Sequence, residues 1–157
     1  MKRLFAVVLL AVFIPLSALA EGKRLLIIDD DIGMLKSMVA RDGAYQRPGV
    51  KITDPDGGLE LLFALRDPRV EVLAVTCSMG CSSLEVCMAS AKKILALAGR
   101  SDIPVLAGAA SPADFGRPTD AARFIIETVM ARPGEVEIIA TAPLTNVATA
   151  LKLEPCL

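Results

Sequence analysis

Four short apolar runs, each ending in polar or small residues, limit how this chain can fold. They are residues 24–28 (RLLII), 70–76 (VEVLAVT), 104–108 (PVLAG) and 136–140 (VEIIA). Runs of this length and composition fit strands buried on both faces, as in a parallel sheet. The stretches between them carry a helical pattern instead. Residues 59–65 read as a helix stopped by Asp67-Pro68. In residues 83–98, Leu84, Val86, Cys87, Ala91, Ile94, Leu95 and Ala98 recur at helical spacing. Ser83 is placed to cap that helix, and Gly99 sits where a helix end wants positive φ. Two more helices are predicted over 119–131, ended by Pro133-Gly134, and over 144–153. The alternation predicts an α/β fold, Rossmann-like, with a mostly parallel sheet and helices on both faces. Sites in such sheets form beyond the carboxyl ends of the strands, here residues 29–33, 76–81 and 141–146.

Two segments stand outside that rhythm. Residues 1–20 begin with Lys2 and Arg3, continue through an apolar run from Leu4 to Leu16 that contains Pro15, and end in Ala18-Leu19-Ala20. This is the pattern of a cleaved signal peptide; the apolar run is shorter than the roughly 20 residues of a spanning helix. The expected location is periplasmic or secreted, with no membrane attachment after cleavage, and residues 21–157 form the expected domain. Residues 35–55 contain Asp42-Gly43, Arg47-Pro48-Gly49 and Asp54-Pro55, all turn signals. They read as an insertion that loops away between the first strand and its helix.

Composition excludes several chemistries. The chain has no histidine, which removes a Ser-His-Asp triad, a histidine zinc site and histidine acid–base catalysis. Aromatic residues are 4% and the net charge is −1, with no basic run, so a nucleic-acid groove is not expected. The spacing of Cys77, Cys81 and Cys87 matches no common zinc pattern; Cys81 and Cys87 are candidates to pair in an oxidising compartment.

Asp29, Asp30 and Asp31 follow the first strand directly. Repelling carboxylates are costly there unless a cation or hydrogen bonds offset them. Their oxygens suit a hard cation such as Ca²⁺ or Mg²⁺. The alternative is three solvated loop acids, and Asp30 in particular is expected to be one.

The stretch Ile27-Ile28-Asp29-Asp30-Asp31-Ile32-Gly33-Met34 resembles the first half of an Asp-x-Asp-x-Gly-x-Asp-Asp signature. Its second half resumes at Asp56-Gly57-Gly58-Leu59 and runs through Ala64-Leu65-Arg66-Asp67-Pro68. The strand at 70–76, the turn to Gly80, Leu97-Ala98-Gly99-Arg100, Ile103-Pro104-Val105 with Gly108, and Ala140-Thr141-Ala142-Pro143-Leu144-Thr145-Asn146 follow in order. In these features the chain resembles the inosine/uridine-preferring nucleoside hydrolases.

The resemblance implies an N-ribohydrolase acting on a small-molecule ribonucleoside, with one Ca²⁺ polarising water. It implies Asp31 as general base and metal ligand, and Asp29 in the same acidic group. Asp56 would bind a ribose hydroxyl or the ion. The backbone carbonyl of Thr141 would reach the ion, and Asn146 would order its loop and contact substrate. Homo-oligomers fit the same reading. The departures are specific: the paired aspartates of the signature read Asp56-Gly57, Cys81 stands for an asparagine, and Ala142 stands for a glycine. Members of the family are about twice as long, so the chain reads as a truncated, N-terminal portion of the fold with Ca²⁺ weakly bound. Two alternatives remain open. One is a non-catalytic remnant of the family. The other is a receiver-like signalling module, suggested by residues 24–31 and 57–62 with Asp54 or Asp56 as phosphoacceptor.

Overall fold

The computed structural model describes residues 22–33 and 55–157. The leader and all of the expected insertion except Pro55 lie outside the described residues. Four parallel strands form one sheet: β1 (Arg24–Asp30), β2 (Val70–Cys77), β3 (Val105–Ala107) and β4 (Val136–Ala140), in the order β3-β2-β1-β4. Four helices alternate with them: α1 (Asp56–Arg66), α2 (Leu84–Leu97), α3 (Asp120–Ala131) and α4 (Thr145–Leu153). The chain moves outward from β1 to β3, then returns to the other side of β1. That reversal opens a crevice at the carboxyl ends of β1 and β4.

Alternation along β1 supplies both faces of the sheet. Leu26 and Ile28 join one core with Leu61 of α1 and Cys87, Ala91, Ile94 and Leu95 of α2. Ile27 points the other way and packs with Ile125 of α3 and Ala150 of α4. Every residue of β1 from Leu26 to Asp30 is buried, as a central strand covered on both sides requires. The helix ends follow local chemistry. The Ser83 hydroxyl accepts from the Val86 N–H at 3.4 Å, and the Thr119 hydroxyl accepts from the Ala122 N–H at 3.2 Å. Gly99 and Gly134 close α2 and α3 with φ of 70° and 76°, where a side chain would be strained.

Two boundaries differ from expectation by more than one residue. β1 runs on to Asp30, because Asp29 pairs with both Thr76 and Ala140 and Asp30 pairs with Cys77. Main-chain pairing does not depend on the side chains being apolar. α1 begins at Asp56, before Gly57-Gly58, although glycine disfavours helix; both glycines are buried, Gly57 against the Asp30 carboxyl. Among the described residues no helix is long and apolar enough to cross a membrane.

The docking of α1 gives a direct test. Leu61 is 0% exposed and Phe63, on the same helix, is 73% exposed. Leu61→Ala is expected to lower unfolding free energy by about 2–5 kcal/mol, and Phe63→Ala to change it by about 0.5 kcal/mol or less, measured by urea denaturation.

Candidate functional site

The three consecutive aspartates meet three different surroundings, because a strand sends alternate side chains to opposite faces. Asp29 points toward α4. It is 0% exposed, and its Oδ1 accepts from the Thr76 hydroxyl at 2.6 Å and from Asn146 Nδ2 at 2.8 Å. Its Oδ2 is buried without a hydrogen-bond partner. Burial raises its pKa, and the bonds from Thr76 and Asn146 pull it back.

Asn146 is the brace of this side. Nδ2 also donates to the Cys77 carbonyl at 3.1 Å, and Oδ1 accepts from the Ala109 N–H at 2.8 Å. At 1% exposure, with both ends of its amide engaged, it orders the loop after β3 and holds Asp29. The substrate contact expected of it has no open surface to act from. Gly108 makes this possible: a Cβ there would overlap the Asn146 amide and the Cys77 carbonyl.

Asp30 turns toward α1 and is 2% exposed, which corrects its expected place as a solvated loop acid. Its carboxyl lies against Gly57, where a Cβ would overlap both carboxylate oxygens. Burial pushes its pKa up to about 7, the Thr141 hydroxyl lowers it, and the charges of Asp31 and Glu60 raise it further. The Thr141 hydroxyl lies 2.8 Å from Asp30 Oδ2 and 2.9 Å from Glu60 Oε2. One hydroxyl carries one proton, so it donates to only one of the two acids at a time. Glu60 is raised by burial in the same direction, and its Oε1 is buried with no partner.

Asp31 lies just past the strand and is half-buried. Its Oδ2 accepts the Cys81 N–H, and its carbonyl accepts from the Cys81 thiol at 2.8 Å. Gly80 allows this approach, since a Cβ there would overlap Asp31 Oδ2. The Cys87 thiol donates to the Asp30 carbonyl at 3.2 Å, and its contact with Cys77, then burial, raises its pKa. Cys81 and Cys87 form no disulfide with each other.

Asp56 is exposed at the first position of α1, one turn before Glu60, whose pKa its charge helps to raise. Thr141 donates its N–H to the Asp29 carbonyl at 3.1 Å. All the expected site residues therefore stand at the carboxyl edge of the sheet. Among the described residues, however, no three His, Cys, Asp or Glu side chains are grouped to hold a metal ion. The donors are oxygens, as calcium prefers, but Asp29 and Asp31 each commit one oxygen to protein donors and position 57 is glycine. They do not fit a calcium ion as they stand, since calcium takes about 6–8 oxygens. Sequence reasoning passed over Thr76 and Glu60 and took Asp30 for a solvated acid. Thr76 was findable as the register partner of Asp29, and Glu60 as the residue one turn after Gly57.

Residues 52–157 match the family described as inosine-uridine preferring nucleoside hydrolase. The chain is 31% identical to "Probable uridine nucleosidase 1" of Oryza sativa subsp. japonica, over 66% of this chain and 40% of the relative. It is 30% identical to the inosine-uridine preferring nucleoside hydrolase of Crithidia fasciculata, over 66% of this chain and 43% of the relative. A solved plant nucleoside hydrolase superposes with a TM-score of 0.62 at 27% identity, covering 84% of this chain and 43% of its own. The chain thus spans about two fifths of the length of the relatives it matches.

Two measurements test the site. Asn146→Ala would leave the Ala109 N–H, the Cys77 carbonyl and Asp29 short of partners; a loss of about 2–4 kcal/mol is expected in urea denaturation. The second concerns pH. The folded pKa of Asp30 stands above its unfolded value, so its contribution to stability is full below about pH 4 and is lost as pH rises toward 7. Asp30→Asn removes that loss. In EDTA the variant should exceed the parent by up to about 4 kcal/mol at pH 8, the gap closing toward pH 4.

Proposed function

The chain belongs to the inosine-uridine preferring nucleoside hydrolase family, and we propose that its acidic sheet edge serves hydrolysis of the N-glycosidic bond of a ribonucleoside, giving base and ribose. One observation carries this reading. The Asp29-Asp30-Asp31 run ends the central strand at the crevice beside β4, and Asp31 alone of the three is more than marginally exposed there. In this proposal Asp31 accepts the proton of the water that attacks the anomeric carbon. The Cys81 N–H fixes the orientation of its carboxylate. Asp56, exposed at the start of α1, is the proposed partner of a ribose hydroxyl. Asn146 acts through Asp29 and the loop after β3. Within this chain no histidine is present to protonate the leaving base.

Calcium enters through the family. The resemblance assigns it to Asp29, Asp31, Asp56 and the Thr141 carbonyl, and when bound it would polarise the water. The described donors fall short of that set, so no step is routed through it. Export through residues 1–20 to the periplasm or the medium belongs to the same proposal, supported by the leader pattern.

A second reading, a non-catalytic member of the family, is favoured by Gly57 in place of a signature carboxylate. Ribose release from inosine and from uridine, with calcium present, separates the two. Turnover that falls about 100-fold or more in Asp31→Asn supports the enzyme. Folded protein with no ribose release above the blank supports the non-catalytic member.

A further inference from the structure

We infer that Asp30 fills the place left at Gly57, and that a hydrogen-bonded contact of Asp30, Thr141 and Glu60, rather than a cation, fastens α1 to the sheet. Three elements meet at this point. Asp30 ends β1, Thr141 follows β4, and Glu60 lies one turn along α1 from Gly57. Gly57 has no Cβ, so the first turn of α1 closes onto β1 until the Asp30 carboxyl occupies the space beside it. An aspartate at position 57, as the family signature has, would overlap Asp30 here. The carboxylate is therefore moved from the helix to the strand rather than simply lost. Its new position suits a different task. Asp30 is 2% exposed and faces the Thr141 hydroxyl, which also reaches Glu60.

Three solvated acids would not show this enclosure, and the acids on either side of Asp30 each commit one oxygen to protein donors. Asp29 Oδ1 takes the Thr76 hydroxyl and the Asn146 amide, and Asp31 Oδ2 takes the Cys81 N–H. The consequence is a family fold whose stability does not depend on calcium. Regaining calcium dependence requires two changes, a carboxylate at 57 and none at 30.

Thermal melts of the full chain test this without any activity readout, so their outcome is separate from that of the ribose-release assay. The parent should melt within about 2 °C in EDTA and in CaCl₂ at about 1 mM, whereas binding at a hundredth of that concentration would raise the midpoint by more. A larger calcium-dependent rise overturns the inference. Thr141→Val keeps the backbone carbonyl and deletes the hydroxyl; it should lower the midpoint by several degrees equally in both buffers. An unchanged midpoint overturns the inference. The double variant Asp30→Ala/Gly57→Asp should gain a calcium-dependent rise that Gly57→Asp alone lacks. If a well-folded double variant gains none, the exchange of places between positions 30 and 57 is wrong. If it does not fold, the first two melts decide.

Discussion

The Asp29 carboxylate is enclosed between β2, β4 and α4, and one of its oxygens takes hydrogen bonds from a threonine 47 residues away and an asparagine 117 residues away. A buried acid is tolerable only with such donors, and each donor must be delivered by its own element. Thr76 needs the β1–β2 register. Asn146 needs β4 beside β1 and α4 starting at its end. The amide of Asn146 then reaches across to the Cys77 carbonyl and the Ala109 N–H, fixing the loop after β3. Strand order, helix start and loop path thus converge on one side chain.

The three aspartates divide the work of the sheet edge. Asp29 is structural and inaccessible. Asp30 is shared among three elements and holds its proton near neutrality. Asp31, past the last strand pairing, alone retains access while a backbone N–H sets its direction. The local packing explains why these particular acids do not assemble a calcium site.

Much of the fold was legible because its signals are local. The apolar runs gave all four strands, and Gly99 and Pro133-Gly134 marked two helix ends correctly. The end of β1 was read two residues early, since Asp29 and Asp30 look unlike strand interior, and their pairing partners lie in other segments. The start of α1 was missed because Gly57-Gly58 argues against helix until packing on β1 is known. The burial of Asp30 had no local signal at all. Its face follows from strand alternation, but its enclosure depends on the missing side chain of Gly57 and on a hydroxyl 111 residues away. Glu60 finds that same hydroxyl across 81 residues.

Alternation along β1 also acts as a check on assembly. A slip of β1 by one residue would present Asp30 to Asn146 and Asp31 to Gly57, and would exchange Ile27 and Ile28 between the two cores. Asp31 would be drawn into the ladder, away from the Cys81 N–H. Every one of those positions carries either a full apolar side chain or a carboxyl with a dedicated donor. Three like residues in a row are not redundant here, since each has one address only. The run works as a vernier, in which a displacement of a single step is penalised at every mark at once.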